Sequence, residues 1–169
     1  AHLLRLTGLS GILSTGDAFN LFVFLEISSL ATYTLVSLSR DKRCLIAAFR
    51  YLIMGTIGAT FILIGVGMLY MKTGTLNMLD LADRIAVIEG NRTLNTGLAF
   101  ILIGVSIKLA LFPLHMWLPP AYTHAPSAVS AFLASTATKV AVYVMVRFIF
   151  SIFGAQYVFE TMSMDIILL

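Results

Sequence analysis

The most informative segment of the sequence is IKLALFPLHMWLPPAYTHAPSAVSAFLASTATKVAVYVMVRF, residues 107–148. It places Lys108 and Lys139 inside long apolar segments and holds all four prolines of the chain between them. An ionised lysine at the centre of a bilayer costs about 2.5–3.5 kcal/mol on the translocon insertion scale, so such residues commonly mark function. Two of them, joined by a proline-rich link that carries His115, predict a route for charge through a membrane.

The composition of the chain predicts that its solvent is lipid. Hydrophobic residues make up 59% of the sequence and charged residues 11%, against about 45–50% and 25% in soluble domains. The net charge of +3 is small, and no basic run is interleaved with aromatic residues, so nucleic acid is not an expected partner. Cys44 is the single cysteine. It cannot form an internal disulfide and has no metal-ligand spacing around it, so no metal or cofactor is expected.

Four segments are long and apolar enough to be membrane spans, and they lie at about 18–39, 44–71, 95–112 and 127–153. Residues 1–15 are typical of the tail of an earlier span, and residues 158–169 of the start of a later one. We therefore expect a piece of one transmembrane domain from a longer subunit. Only helices satisfy their own backbone groups in lipid. The predicted fold is an all-α, polytopic transmembrane helix bundle with one proline-broken helix.

The loop SRDKRC, residues 39–44, joins the first two spans and carries Arg40, Lys42 and Arg43 in one tight turn. Short loops rich in lysine and arginine face the cytoplasm, so this loop is predicted to be cytoplasmic.

Two further patterns concern packing. The loop between the second and third spans predicts a short interfacial helix, whose apolar face would comprise Met78, Leu79, Ala82, Ile85 and Ala86. The second span has small residues suited to close helix packing, namely Gly55, Gly58, Gly65 and Gly67.

Glu26 and Lys108 are the first two candidate site residues. Glu26 lies eight residues into the first span, roughly 12 Å deep at 1.5 Å per residue, and nothing near it in the sequence can pair with it. Lys108 lies five residues before Pro113. Proline cannot donate to the carbonyl of Leu109, and its ring crowds that turn, so the helix should break just after Lys108. Broken helices at membrane depth line hydrated cavities.

Lys139 and His115 are the remaining candidates. Lys139 lies about twelve residues into the fourth span, where an ionisable group again favours function. His115 could relay a proton near neutral pH or make a structural hydrogen bond, and the residues leave both interpretations open. Trp117 is expected to anchor at the membrane interface.

The chain resembles the antiporter-like proton-translocating membrane subunits, a family that spans Mrp-type monovalent cation/proton antiporters, respiratory complex I and membrane-bound hydrogenases. The motifs that carry the resemblance are GDAFNLFVFLEISSLATY around Glu26, IKLALFPLHMWLPPAYTHAPSAVSAFLA after Lys108, and TKVAVYVMVRF around Lys139. The resemblance implies that the chain holds most of the first of two inverted five-helix repeats. It also implies that Glu26 pairs with Lys108 of the broken helix, that Lys139 is the onward site, and that the membrane is a bacterial-type inner membrane. The motif around Glu26 is most similar to the D-type subunit of Mrp antiporters.

The function that this resemblance implies is proton translocation in a monovalent cation/proton antiporter, through Glu26, Lys108 and Lys139. His115 is added to this pathway as a candidate relay because of its own chemistry. The alternative is a proton-pumping subunit of respiratory complex I or of a membrane-bound hydrogenase, and a lower-ranked one is a structural scaffold whose buried charges hold helices together. The expected partners are other membrane subunits of a multi-subunit complex, protons, lipid, and Na⁺ or K⁺ as the exchanged cation. No catalytic site is expected in this chain, and membership of an NADH:quinone oxidoreductase-type complex is left open.

Overall fold

A computed structural model of the protein describes residues 1–38, 42–88 and 91–167, with side chains up to residue 162. The described ranges are mainly helical and contain no strand of a β-sheet, which confirms the all-α fold. The helices, in chain order, are α1 (His2–Ser14), α2 (Ala18–Val36), α3 (Lys42–Thr73), α4 (Met78–Val87), α5 (Arg92–Leu109), α6 (Leu118–His124), α7 (Ser127–Val146), which continues as a π-helix (Arg147–Ile152), and α8 (Ala155–Ile167). Residues 39–41 of the loop predicted to be cytoplasmic lie outside the described residues.

Four of the described helices are long and apolar enough to cross a membrane: α2, α3, α5, and α7 with its π-helical continuation. Away from its ends, each pairs its backbone groups within the helix, as lipid requires. The first begins directly after Asp17, whose side chain caps the helix by accepting a hydrogen bond of 2.8 Å from the Asn20 amide. The third covers 92–109 instead of the predicted 95–112, since its C-terminal end stops before the proline.

Helices α3 and α5 pack backbone to backbone at two glycine pairs. Gly58 faces Gly104, and seven residues along each helix Gly65 faces Gly97. A Cβ atom on Gly104 would lie 2.5 Å from the carbonyl oxygen of Gly58, and one on Gly65 would lie 2.7 Å from that of Gly97. Glycines permit this close approach between membrane helices. The expectation of close packing is wrong for Gly67, which faces open space.

Helix α4 is the amphipathic helix expected between the second and third spans, but its buried face differs from the expected one. Met78, Leu81 and Ile85 are buried, whereas Leu79 is 81% exposed. The buried residues lie three and four positions apart, so they form one stripe, and the helix packs against the π-helical segment after α7. The face of α4 that is buried is therefore set by its contact with the π-helical segment. The sequence of α4 alone gives no information about that contact.

The described buried apolar side chains form two clusters. The larger one joins α1, α2, α3, α4, α5 and the end of α7. The smaller one includes Tyr33 of α2, Tyr51 of α3, Leu133 of α7, and Trp117 in the link between α5 and α6. This smaller cluster ties the broken segment after α5 to the bundle and so forms part of the frame of the candidate site.

Candidate functional site

Lys108 and Glu26 form an ion pair between α5 and α2. The Lys108 ammonium lies 3.3 Å from Glu26 Oε1 and donates a second hydrogen bond, of 2.9 Å, to Ser29 Oγ. The Lys108 side chain is 8% exposed and that of Glu26 24%. Residues three apart on a helix share a face, so Glu26 and Ser29 both point toward the lysine. The counter-charge that the local sequence lacks is therefore supplied across the fold.

Helix α5 ends one residue after Lys108. Ala110 takes a left-handed conformation with φ 55° and ψ 45°, and its amide donates to the carbonyl of Ile107 at 3.1 Å. In a continued helix the carbonyl of Leu109 would accept from residue 113, but Pro113 has no N–H to donate. The break therefore leaves backbone carbonyl groups without helical donors within one turn of residue 108 in the chain.

Trp117 caps this broken helix. Its indole N–H donates to the carbonyl oxygen of Ile107 at 2.9 Å, and its ring stacks on Tyr51 with centroids 4.4 Å apart and an interplanar angle of 3°. The side chain is 4% exposed. The expectation that Trp117 anchors at the membrane interface is therefore wrong, because the break turns the indole back onto the bundle.

A cavity of about 40 Å³ lies beside the ion pair, among α1, α2, α3, α5 and α7. Polar side chains contribute to its lining, and they include Lys108, Ser28, Ser29, Thr32 and Tyr33. A water molecule needs roughly 10–15 Å³ of such volume and two to four polar partners. The cavity therefore has both the room and the polar groups to hold water next to the ammonium of Lys108.

Gly55 of α3 makes room for Tyr33 at the edge of this cavity. The Tyr33 hydroxyl occupies the space that a Cβ atom on Gly55 would need. This hydroxyl is buried beside the Ser29 side chain, with which it makes no well-aligned hydrogen bond. The ring meets Tyr51 edge-on, with centroids 4.6 Å apart. A larger residue at position 55 would push the phenol out of its place.

Arg5 of α1 lines the same cavity, and the sequence patterns did not single it out. Its side chain is 0% exposed. Its Nη2 atom donates to Thr136 Oγ1 at 2.8 Å and to the Phe132 carbonyl at 3.2 Å, and the guanidinium carbon lies 4.4 Å from the centroid of the Phe132 ring. The sequence indicates only the tail of a span over residues 1–15, which does not show how deep Arg5 lies in the bundle. The available signal is a lone arginine within the apolar run HLLRLTGL.

The structure does not bring Lys139 or His115 to the ion pair, and neither lines the cavity. Lys139 is exposed on α7, where its ammonium donates to the carbonyl of Ala134. Lys139 thus lies within the fourth span, but no described helix covers that face of α7. His115 is half-buried in the link after α5, with its ring 5.6 Å from that of Phe112 and its Nδ1 atom without a partner.

The assembled groups are suited to holding and exchanging protons. A carboxylate, an ammonium and several hydroxyls meet at a helix break, beside space for water. Among the residues that the structure describes, no group of three His, Cys, Asp or Glu side chains is placed to hold a metal ion. Fold and site together define a polytopic helical membrane protein with a buried lysine–glutamate pair at a broken helix.

Residues 15–169 match the family described as NADH:quinone oxidoreductase/Mrp antiporter, TM, and the chain belongs to this family. It is 50% identical over 148 residues to the N subunit of the NADH-quinone oxidoreductase of Desulforudis audaxviator, a match that covers 88% of this chain and 29% of the relative. It is 37% identical over 142 residues to the D-type subunit of the Na(+)/H(+) antiporter of Alkalihalophilus pseudofirmus, covering 84% and 29%.

A solved structure agrees with these sequence matches. One chain of the Mrp complex from Dietzia sp. DQ12-45-1b superposes with a TM-score of 0.81 at 34% sequence identity, covering 89% of this chain and 28% of that one. The chain thus spans less than a third of the length of each of these relatives. Membership of the family establishes a transmembrane protein with long apolar helices.

Proposed function

We propose that this chain forms part of a proton-translocating membrane subunit in which protons pass through Glu26, Lys108 and Lys139, with His115 on the route. The observation that carries the proposal is the Lys108–Glu26 pair, which lies where α5 breaks and beside a cavity with polar groups in its lining. Ionisable groups within membrane spans are functional sites by default. Broken helices at membrane depth supply hydration in transporters.

The setting that we propose is a monovalent cation/proton antiporter, which exchanges Na⁺ or K⁺ for protons together with other membrane subunits and lipid. The matches to an Na(+)/H(+) antiporter subunit and to a chain of an Mrp complex support it, since each covers more than four-fifths of this chain. The second candidate is a proton-pumping subunit of a redox-driven complex. It is favoured by the 50% identity to an NADH-quinone oxidoreductase subunit.

The experiment uses the full-length subunit in its complex, in everted membrane vesicles with a pH-sensitive dye. Lys108→Met and Glu26→Gln each remove one charge of the pair, and we expect each to lower proton transport at least tenfold. Lys72→Met is the matched control, because Lys72 is exposed in the last turn of α3. Undiminished transport by Lys108→Met at normal expression would refute the proposal.

The scaffold alternative makes a different prediction for the double variant Glu26→Ala/Lys108→Ala. If the charges only hold α2 and α5 together, removing both restores assembly and leaves transport near normal. Removing one partner alone leaves the other charge unpaired. Transport lost in the double variant despite normal assembly therefore supports the proton pathway.

The two settings differ in what drives transport. An antiporter moves protons in response to an imposed Na⁺ or K⁺ gradient without any electron donor. A redox-driven subunit moves protons only when the donor and quinone of its complex turn over. Vesicles tested with each driving force separately distinguish the two.

We also propose that the chain is most of the first helical repeat, that it lies in a bacterial-type inner membrane, and that the loop 39–44 faces the cytoplasm. Lys42 and Arg92 are exposed and begin α3 and α5, which are antiparallel, so they mark opposite membrane faces. In a Cys44→Ser background, Lys42→Cys should react with a membrane-impermeant maleimide from the cytoplasmic side only, and Arg92→Cys from the other side only. The reverse pattern would invert the proposed orientation.

A further inference from the structure

The guanidinium group of Arg5 is fully buried yet only partly satisfied. Its Nη2 atom donates to α7, at Thr136 and Phe132, but Nε and Nη1 have no hydrogen-bond partner. No carboxylate among the described residues forms an ion pair with it. A guanidinium stays charged in proteins, and a buried charge is costly unless it is paired. The site therefore lacks a negative charge and hydrogen-bond acceptors.

The cavity of about 40 Å³ is the space that Arg5 shares with Lys108 and Tyr33. Lys108 already has its counter-charge in Glu26, so Arg5 leaves the lining with one positive charge in excess. The Tyr33 hydroxyl is a further buried group; the Ser29 side chain lies beside it but makes no well-aligned hydrogen bond with it. The donors available to a ligand thus include the Nε–H and Nη1–H groups of Arg5 and the O–H group of Tyr33.

We propose that this cavity binds one small monovalent anion of about the size of chloride, held by Arg5 and the hydroxyl of Tyr33. The available volume exceeds that needed for one water molecule, and it is too small for a lipid headgroup. Water would accept hydrogen bonds from Arg5 but would leave its charge uncompensated, whereas a halide supplies both. Binding does not depend on proton transport, so this proposal and the proposed function can fail separately.

The test measures thermal unfolding of the purified complex that contains the full-length subunit, in sodium chloride and in sodium gluconate at equal ionic strength. An ion that binds only the folded state stabilises it increasingly as the ion concentration rises above the dissociation constant. We expect the melting temperature of the wild type to rise with chloride, and that of Arg5→Gln to show no such rise. Arg92→Gln is the matched control, because Arg92 is exposed at the start of α5, and it should keep the chloride response.

A second variant covers the case in which Arg5→Gln does not assemble. Tyr33→Phe keeps the ring and removes one hydroxyl donor, so the chloride concentration that gives a fixed rise in melting temperature should increase about three- to tenfold, the range expected for one lost hydrogen bond. An unchanged concentration would remove Tyr33 from the site and overturn the proposal as stated.

The position of the ion is tested with bromide, which replaces chloride and scatters anomalously. Crystals of the complex grown in sodium bromide should show an anomalous peak within hydrogen-bond distance of Arg5 Nε or Nη1. Density there without an anomalous signal, as from water, would overturn the proposal. Equal melting of the wild type in chloride and gluconate would overturn it as well.

Discussion

Gly104→Ala tests whether the backbone contact between α3 and α5 holds the bundle at its observed spacing. The new Cβ atom would lie 2.5 Å from the carbonyl oxygen of Gly58 and 2.9 Å from the amide nitrogen of Ile62. Both are backbone atoms of a helix, so neither can rotate away as a flexible side chain would. The two helices must instead separate.

The size of the effect follows from these distances. Carbon and oxygen atoms in close helix–helix contacts are about 3.3–3.6 Å apart, so the substitution forces a separation of roughly 1 Å. Overpacking of this kind costs about 1–3 kcal/mol. The higher helix propensity of alanine offsets up to about 1 kcal/mol. With the full offset, we therefore expect a net loss of up to roughly 2 kcal/mol in the free energy of unfolding.

The assay is thermal unfolding of the detergent-purified complex that contains the full-length subunit. Gly67→Ala is the matched control, because Gly67 lies in α3 with nothing close to its Cβ position, and alanine should leave stability unchanged or raise it by up to about 1 kcal/mol. A lower melting temperature for Gly104→Ala only is the expected result. Equal or higher melting temperatures for both variants would show that the glycine contact does not set the helix spacing.

Three further predictions concern the helix cap, the single thiol and the loop helix. Trp117→Phe should keep the ring stacking but lose the bond to Ile107, lowering stability by about 0.5–1.5 kcal/mol, and an unchanged melting temperature would contradict the cap. Cys44 is 0% exposed and donates to a backbone carbonyl, so it should react with a maleimide only after denaturation, and rapid labelling of the native protein would contradict its burial. The hydrogen bond from Arg84 lowers the pKa of the Asp80 carboxyl below its ordinary 3.8. The stability that this pair contributes is therefore complete above pH 3.8. It is lost as the pH falls through the lowered pKa of Asp80 in the folded protein. An NMR titration of the Asp80 carboxyl with a midpoint at 3.8 or higher would contradict it.

Much of the architecture could be predicted because the relevant signals are local. Long apolar runs must be helical in lipid, and helices that could span the membrane lie in all four segments where spans were predicted. Pro113 removes a backbone donor at a known offset, so the helix end near Lys108 could be placed to within a residue or two. The pairing of Glu26 with Lys108 came from the resemblance to a family, because an interaction across 82 residues leaves no trace in local periodicity.

Other features depend on neighbours that the local pattern does not contain. The sequence around Trp117 is typical of a residue at the membrane interface. In the structure, the chain changes direction after the break in α5, and the Trp117 ring packs inward onto Tyr51. Arg5 lies in a short helix, and its burial arises from α7, which begins more than a hundred residues later. The buried face of α4 is likewise set by a distant segment.

The lipid solvent, the helical state, the break after Lys108 and the family all follow from the sequence, because each rests on composition, backbone chemistry or a contiguous motif. The tertiary structure was needed to show the contacts of the Lys108–Glu26 pair, the exposure of Lys139, the burial of Arg5 and the position of the cavity. Those outcomes depend on the close approach of helices at glycine contacts and on which faces are covered. A charged residue within an apolar run can be recognised in the sequence, whereas its contacts are set by the packing of helices that are distant in the chain.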